Sequence, residues 1–440
     1  NCCYIQRSSG KTISNNKLMA HAKLLTTEEH SYQLQVDGKP FYIKGAGLEF
    51  GQMSLLAQCG GNTLRTWRVD NGKRSAESIL DEAHSLGLKV CMGLELERER
   101  HGFDYSDDKA VAQQHAAVMA DVLRLKDHPA LLMWGLGNEL NLRAKNARVW
   151  DAVEALCQAI KAEDDDHLVT TMLAGIDAPT LKHIAKRAPS LDFLSFQIYG
   201  DIDRLPAILK KVNYSGPYQL TEWGPTGHWE SPETRWQRPI EVSSSVKAQD
   251  IGRRYHNIIL KDAARCLGSY IFLWGQKQER TPTWYGMFLE DGRRTESVDV
   301  MQHAWTGQWP SQRAPRIDSL TLNKQLPKDS VTGCVNSTFK AVVELLSVAD
   351  KYAVSWCVRE EVDRAHESDG GDFEPTPPCL ISHYTGHDTV FEFELTRAGD
   401  YRLYCQVDND ADASAVANFP FRVIDFDAPL TTKNKKVKDP

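Results

Sequence analysis

The chain has 440 residues, 41% of them hydrophobic and 25% charged, with a formal net charge of −7. That length is generous for one small domain and suits a barrel plus a module, and the composition is that of an ordinary globular protein. The acidic balance argues against a nucleic-acid partner, and no apolar run approaches the ~20 residues of a membrane span.

The chain opens on Asn1, with neither Met nor a signal-like segment, as expected of a processed or trimmed protein. Residues 1–31 read as a polar, irregular segment. Cys2 and Cys3 lie in it as an incidental end, with a lipidation remnant as the alternative. Tyr32–Val36 then alternates like a strand, Asp37-Gly38-Lys39-Pro40 signals a turn, and Phe41–Lys44 reads as the next strand. From there strand-like and helix-like segments alternate. The further strand candidates are Thr63–Trp67, Leu88–Leu94, Leu131–Leu136, Leu168–Leu173, Phe193–Ile198, Tyr218–Thr221 and Ser269–Trp274. Amphipathic stretches between them include Ala76–Leu86, Lys109–Leu125, Ala147–Ala162 and Val246–Ala264. Eight such βα repeats over residues 32–310 predict a (β/α)8 TIM barrel. A doubly wound sheet is disfavoured, because no Gly-rich phosphate fingerprint follows the first strand.

After Trp309-Pro310 the helical period disappears. Short strand-like runs follow at Lys340–Ser347, Tyr352–Val358, Val390–Leu395, Tyr401–Val407 and Phe419–Ile424. Residues 311–428 therefore read as an all-β, Ig-like sandwich, and residues 429–440 as a basic, disordered tail. Cys59, Cys91, Cys157 and Cys266 fall among apparent helices and strands, as buried thiols do. Cys334, Cys357, Cys379 and Cys405 lie in the sandwich and can pair in an oxidising compartment, in any of three connectivities. No Cys/His spacing resembles a zinc site, and neither metal nor cofactor is expected.

Two motifs carry the chemistry. Trp134-Gly135-Leu136-Gly137-Asn138-Glu139 and Leu220-Thr221-Glu222-Trp223 are apolar runs that stop on a glutamate. An acid at the end of a buried strand costs stability unless it is hydrogen-bonded or used. In a barrel, catalytic residues sit at the C-terminal strand ends, and these two acids end the fourth and seventh strands. A carboxylate pair is the equipment of a glycosidase, with about 5–5.5 Å between the carboxyls when the mechanism is retaining.

These residues resemble those of clan A glycoside hydrolases, retaining (β/α)8 enzymes, over about residues 32–305. The resemblance implies that Glu139, preceded by Asn138, is the acid/base and that Glu222 is the nucleophile. It matches Arg65 to the arginine ending the second strand, Tyr199 to a tyrosine after the sixth, and Trp274 to the tryptophan closing the eighth. Val36-Asp37-Gly38-Lys39-Pro40 followed by Lys44-Gly45 looks like the lead-in to the barrel of family 2 and its relatives. A barrel followed by an Ig-like domain is similar to some bacterial enzymes acting on β-1,3-glucan.

On this reading Arg65 and Tyr199 orient Glu222, and Asn138 binds a sugar 2-hydroxyl. Trp274 floors the cleavage site, and Trp67, Glu97, His101, Trp229, Trp236 and Trp284 are the other expected sugar contacts. Glu97 and His101 could equally sit in a solvated loop, and the tryptophans in the core. The expected activity is retaining hydrolysis of a β-glucan, most plausibly β-1,3-linked. A transglycosylase with the same carboxylates and a non-catalytic carbohydrate-binding protein are the alternatives. The expected partner is an oligo- or polysaccharide, and the expected location secreted, periplasmic or cell-surface.

Overall fold

The computed structural model describes residues 21–425, apart from residues 29, 350 and 368–370. Cys2, Cys3 and the basic tail lie outside the described residues. The segment expected to be irregular up to residue 31 is a strand in its described part. β1 (Ala22–Glu28) pairs antiparallel with β2 (Ser31–Val36), and the two-residue β3 (Lys39–Pro40) flanks β2. The alternation of β1 is masked by its exposed outer half, so it does not read as a strand.

Eight parallel strands then close a barrel. They are β4 (Ile43–Gly47), β5 (Thr63–Arg65), β6 (Lys89–Leu94), β7 (Leu131–Asn138), β8 (Leu168–Ala174), β9 (Phe193–Gln197), β10 (Tyr218–Trp223) and β11 (Cys266–Ile271). One helix follows each strand: α1 (Met53–Gln58), α2 (Ala76–Ser85), α3 (Asp108–Leu125), α4 (Arg148–Glu163), α5 (Ala178–Arg187), α6 (Leu205–Lys211), α7 (Ser244–Arg254) and α8 (Glu296–Thr306). Strands such as β7 are buried along their whole length, which is why they read as unbroken apolar runs. Ser75, Asp107, Asp177 and Ser243 cap α2, α3, α5 and α7 by accepting first-turn N–H bonds.

The β1–β2 hairpin seals the N-terminal mouth of the barrel. Ala22 N donates to Asp166 O (2.8 Å) and Tyr32 N to Ala264 O (2.7 Å). Leu34 and Val36 pack with Met133, Met172 and Tyr270 from the barrel interior. Each such buried aliphatic side chain is worth roughly 1.5–3 kcal/mol. With that end closed, only the C-terminal strand ends are left open to a substrate.

Two further sheets follow the barrel. One holds β12 (Arg316–Leu322), β14 (Thr338–Ser347) and β17 (Val390–Glu394). The other holds β13 (Thr332–Cys334), β15 (Tyr352–Glu360), β16 (Cys379–Gly386), β18 (Gly399–Asn409) and β19 (Ser414–Ile424). Phe339, Ala341 and Val343 alternate inward along β14 and meet Trp356, Leu403 and Phe421 of the second sheet. Cys357 and Cys379 form a disulfide. Cys334 and Cys405 are free thiols, as are the four buried barrel cysteines.

The sheets dock on the barrel through buried polar groups. At the start of α7, Ser244 Oγ accepts from Val416 N (2.9 Å) and Ser245 Oγ from Ile317 N (3.0 Å). Glu241 is buried, paired with Lys247, and accepts from Asn418 Nδ2 (2.5 Å). Arg402 reaches across to Pro239 O (2.9 Å). A buried charge left without these partners would be strongly destabilising, so this face is a fixed contact.

Candidate active site

A cleft of about 1200 Å³ opens at the C-terminal strand ends, with Glu139 and Glu222 both on its wall. The strand pairing slips at both glutamates. β7 and β8 change register between Gly135 and Asn138, and β9 and β10 between Leu220 and Glu222. Such irregularities re-aim side chains. Glu139 itself has φ +54°, a left-handed conformation costly for a non-glycine residue, and Glu139 N is held by Met172 O at 2.9 Å.

Glu222 is held by four side chains. Its Oε1 accepts from Arg65 Nη1 (2.8 Å), Trp67 Nε1 (2.7 Å) and Gln197 Nε2 (2.8 Å). Its Oε2 accepts from Tyr199 Oη (2.8 Å). Four donors match an ionised carboxylate, which can only accept. Oε1 is saturated, so Oε2, with one donor, is the oxygen left to react. Arg65 and Gln197 also donate to Asn138 Oδ1, the latter at 2.6 Å. That fixes the amide, and its NH2 has no protein acceptor among the described residues. The Tyr199 hydroxyl is pushed well above its ordinary range by burial and by the Glu222 charge, so it stays a donor.

Glu139 has a different environment. Its nearest cation is Arg100, 3.7 Å away. Burial, and then the charge on Glu222, push it up to about 7, against the pull of Arg100, Arg98 and Arg65. Two carboxyl groups in one cleft thus favour different protonation states, the arrangement that separates an acid from a nucleophile.

The structure sorts the other expected contacts. Trp67 lines the cleft, but its indole N–H is spent on Glu222, so it positions the carboxylate as well as walling the site. Trp274 also lines the cleft; its ring is otherwise buried, stacked on Trp305, with its N–H bonded to Gln52 O (3.1 Å). Trp229 is 59% exposed on the loop after β10, edge-on to Tyr199. Four expectations are corrected. Glu97 points to solvent off the cleft wall, its backbone N bonded to Gln114 and its O to Tyr105. His101 is off the wall too, its ring taken by Asp372 at 3.1 Å. Trp236 is buried under Arg422 at the contact with the sheets, and Trp284 is buried with its N–H on Thr226 O (3.0 Å). Gln197 is the residue the sequence reading missed. Its signal is an amide ending the mostly apolar stretch Phe193–Phe196.

Residues 77–226 match the profile of the glycosyl hydrolases family 2 TIM barrel domain. The matched stretch holds Asn138, Glu139 and Glu222. This match fits the clan A resemblance read from the motifs. Among solved structures, the chain is similar to β-glucuronidase 2 of Bacteroides uniformis covalently bound to cyclophellitol-6-carboxylate aziridine. That match has 15% identity and TM-score 0.51, and covers 92% of this chain and 48% of that one. It is similar also to Bifidobacterium dentium β-glucuronidase complexed with coumarin-3-O-glucuronide, with 17% identity, TM-score 0.50, and 67% and 50% covered. At such identities the likeness is one of fold. The chain spans about half the length of these relatives. Among the described residues, no helix is long and apolar enough to cross a membrane.

Proposed function

We propose that the chain is a retaining β-glycoside hydrolase acting by double displacement on a neutral β-linked sugar. The observation that carries this reading is the contrast between the carboxyl groups: Glu222 with four donors, Glu139 pushed up to about 7. Glu222 Oε2 attacks the anomeric carbon while Glu139 gives its proton to the leaving oxygen. Water, deprotonated by Glu139, then cleaves the glycosyl ester from the same face. Asn138 offers its NH2 to the 2-hydroxyl.

The neutral sugar is supported by charge. Acidic side chains outnumber basic ones along the cleft. Of the cations, Lys277 is taken by Glu279 (2.8 Å) and Arg68 by Glu49 (2.8 Å). An anionic sugar would meet like charge. The β-1,3-glucan expected from the sequence has no support in the matches described above, and it becomes one member of a test panel.

The test compares wild type and Glu222→Gln on aryl β-glucosides, β-galactosides and β-glucuronides and on β-glucan oligomers. The anomer formed first is read by NMR. The expected result is hydrolysis with retention in wild type and none in the variant. A wild type inert across the panel, or a first product of inverted configuration, would overturn the mechanism. A clear preference for the β-glucuronide would overturn the neutral sugar.

The C-terminal sheets we read as Ig-like. Tyr401 Oη donates back to Arg397 O (2.9 Å) near a strand start, and Trp356 fills the core between the sheets, both features of that architecture. The secreted, periplasmic or cell-surface location is supported by the Cys357–Cys379 bond, which suits an oxidising compartment. Thiol counting on protein purified without reductant tests the bond.

A further inference from the structure

The described residues of the connection between β15 and β16 leave the C-terminal sheets and run along the catalytic end of the barrel. They are fastened at several points. Arg364 Nη2 donates to Trp236 O (2.7 Å), and Glu367 accepts from Arg238 (2.7 Å). Glu374, its side chain fully buried, accepts from Arg280 N (2.6 Å), Arg280 Nη1 (2.7 Å) and Gln278 Nε2 (3.1 Å). Asp372 reaches His101 at 3.1 Å. Gly371 has φ +85°, a left-handed conformation that favours glycine, and its backbone passes beside Lys277 Nζ.

Gln278 and Arg280 follow β11, and His101 follows β6. Barrel order is β11, β4, β5, β6. The segment therefore ties the loop after β11 to the loop after β6, which flank β4 and β5 in the barrel, and Phe50, in the loop after β4, lines the same cleft, 57% exposed. Gly371, Asp372 and Phe373 line the same cleft. Phe373 sits between two pinned residues and is 88% exposed. A lone exposed apolar side chain is ordinary; one held by anchors on both sides at the wall of a site is not. The cleft is also larger than the roughly 300–1,000 Å³ that suits a drug-sized ligand, so it has room for more than one ring.

We propose that Phe373, positioned by Asp372 and Glu374, is the platform of an outlying sugar subsite, where a pyranose ring of a β-linked oligosaccharide stacks beyond the residue being cleaved. The inference rests on the glycosidase reading and deepens it: the substrate is an oligosaccharide, and the C-terminal sheets supply part of its site. The stacking surface is the C–H face of the ring, which a flat phenyl group matches without a hydrogen-bond partner of its own.

The test uses the full chain. Phe373→Ala and Phe373→Trp are compared with wild type on an aryl β-monoglycoside and on β-linked oligosaccharides of two to five rings, of the sugar that wild type hydrolyses. Wild-type kcat/KM should rise with length. Phe373→Ala should lose about tenfold of that rise, stay within about twofold on the monoglycoside, and be rescued by Trp. No rise with length, no loss in Phe373→Ala, or an equal loss on monoglycoside and oligosaccharide each overturns the subsite. A wild type inert on every glycoside overturns the catalytic reading instead. For an inert wild type, calorimetric titration with β-linked gluco- and galacto-oligosaccharides of two to five rings reads the subsite alone: binding weakened by Phe373→Ala keeps it, and binding that is absent or unaltered overturns it.

Discussion

Glu139→Gln is the substitution with the most to say. The side chain keeps its shape and loses its proton chemistry. In wild type the group is raised from 4.5 to about 7, which at ~1.36 kcal/mol per unit is about 3 kcal/mol of preference for the neutral form. Between those two values the folded state holds a proton that the unfolded state has lost. Stability should therefore fall as pH climbs from about 4.5 to 7, then level off. The Gln variant lacks that slope. It should match wild type in urea unfolding at about pH 4 and be more stable at pH 8, by up to about 3 kcal/mol. The kinetic counterpart is an alkaline limb near pH 7 in wild-type kcat/KM, absent in the variant. With a poor leaving group the variant should lose on the order of 10²–10⁴ in kcat/KM. With an activated aryl leaving group, which departs without a proton, it should lose far less. Equal losses on both leaving groups, or a wild-type limb well above pH 7, would refute the assignment of Glu139 as the acid.

Tyr199→Phe removes one donor from Glu222 Oε2 and leaves the ring packing in place. A hydrogen bond to a charged group is worth ~1.5–3 kcal/mol, so kcat/KM should fall about 10- to 150-fold with the melting temperature little changed. Arg65→Met breaks a buried ion pair with Glu222. It should cost about 3–5 kcal/mol in a denaturant titration and abolish turnover. Trp229→Ala, at an exposed site, should raise KM with an unaltered melting temperature, whereas Trp284→Ala, in the core, should cost about 3–5 kcal/mol in stability. The opposite pattern for that pair would contradict the sorting of platform from core.

The barrel was legible because its signal is local. Each strand and helix announces its own period, and the count of eight follows. The places of Glu139 and Glu222 were legible for the same reason, an acid ending an apolar run. Contacts between distant segments were not. Gln197 looks like one polar residue in a strand until Asn138 and Glu222 close around it. Trp236 and Trp284 have the composition of a stacking platform, and only burial shows that one supports the sheet contact and the other packs inside the barrel loops. His101 was misread because its partner, Asp372, lies 271 residues along the chain. β16 escaped notice since its exposed edge position leaves little apolar alternation to read.

The two proposed roles follow from where the donors stand. Arg65 ends β5, Gln197 ends β9 and Tyr199 follows it, so the strands that face β10 across and beside the barrel aim at Glu222. Glu139 is raised by burial and by the Glu222 charge while three arginines pull the other way. Once Glu222 is esterified, the second of the two raising causes is gone and the arginines remain. The Glu139 carboxyl must then drop, which in the proposed mechanism turns the acid of the first step into the base of the second without any movement of the chain. The same logic makes a prediction free of turnover. In Glu222→Gln, titration of Glu139 followed by carboxyl 13C NMR should shift below the wild-type value of about 7. A Glu139 that titrates at the same pH in both proteins would mean that burial alone sets it, and that the charge on Glu222 does not time the proton transfer.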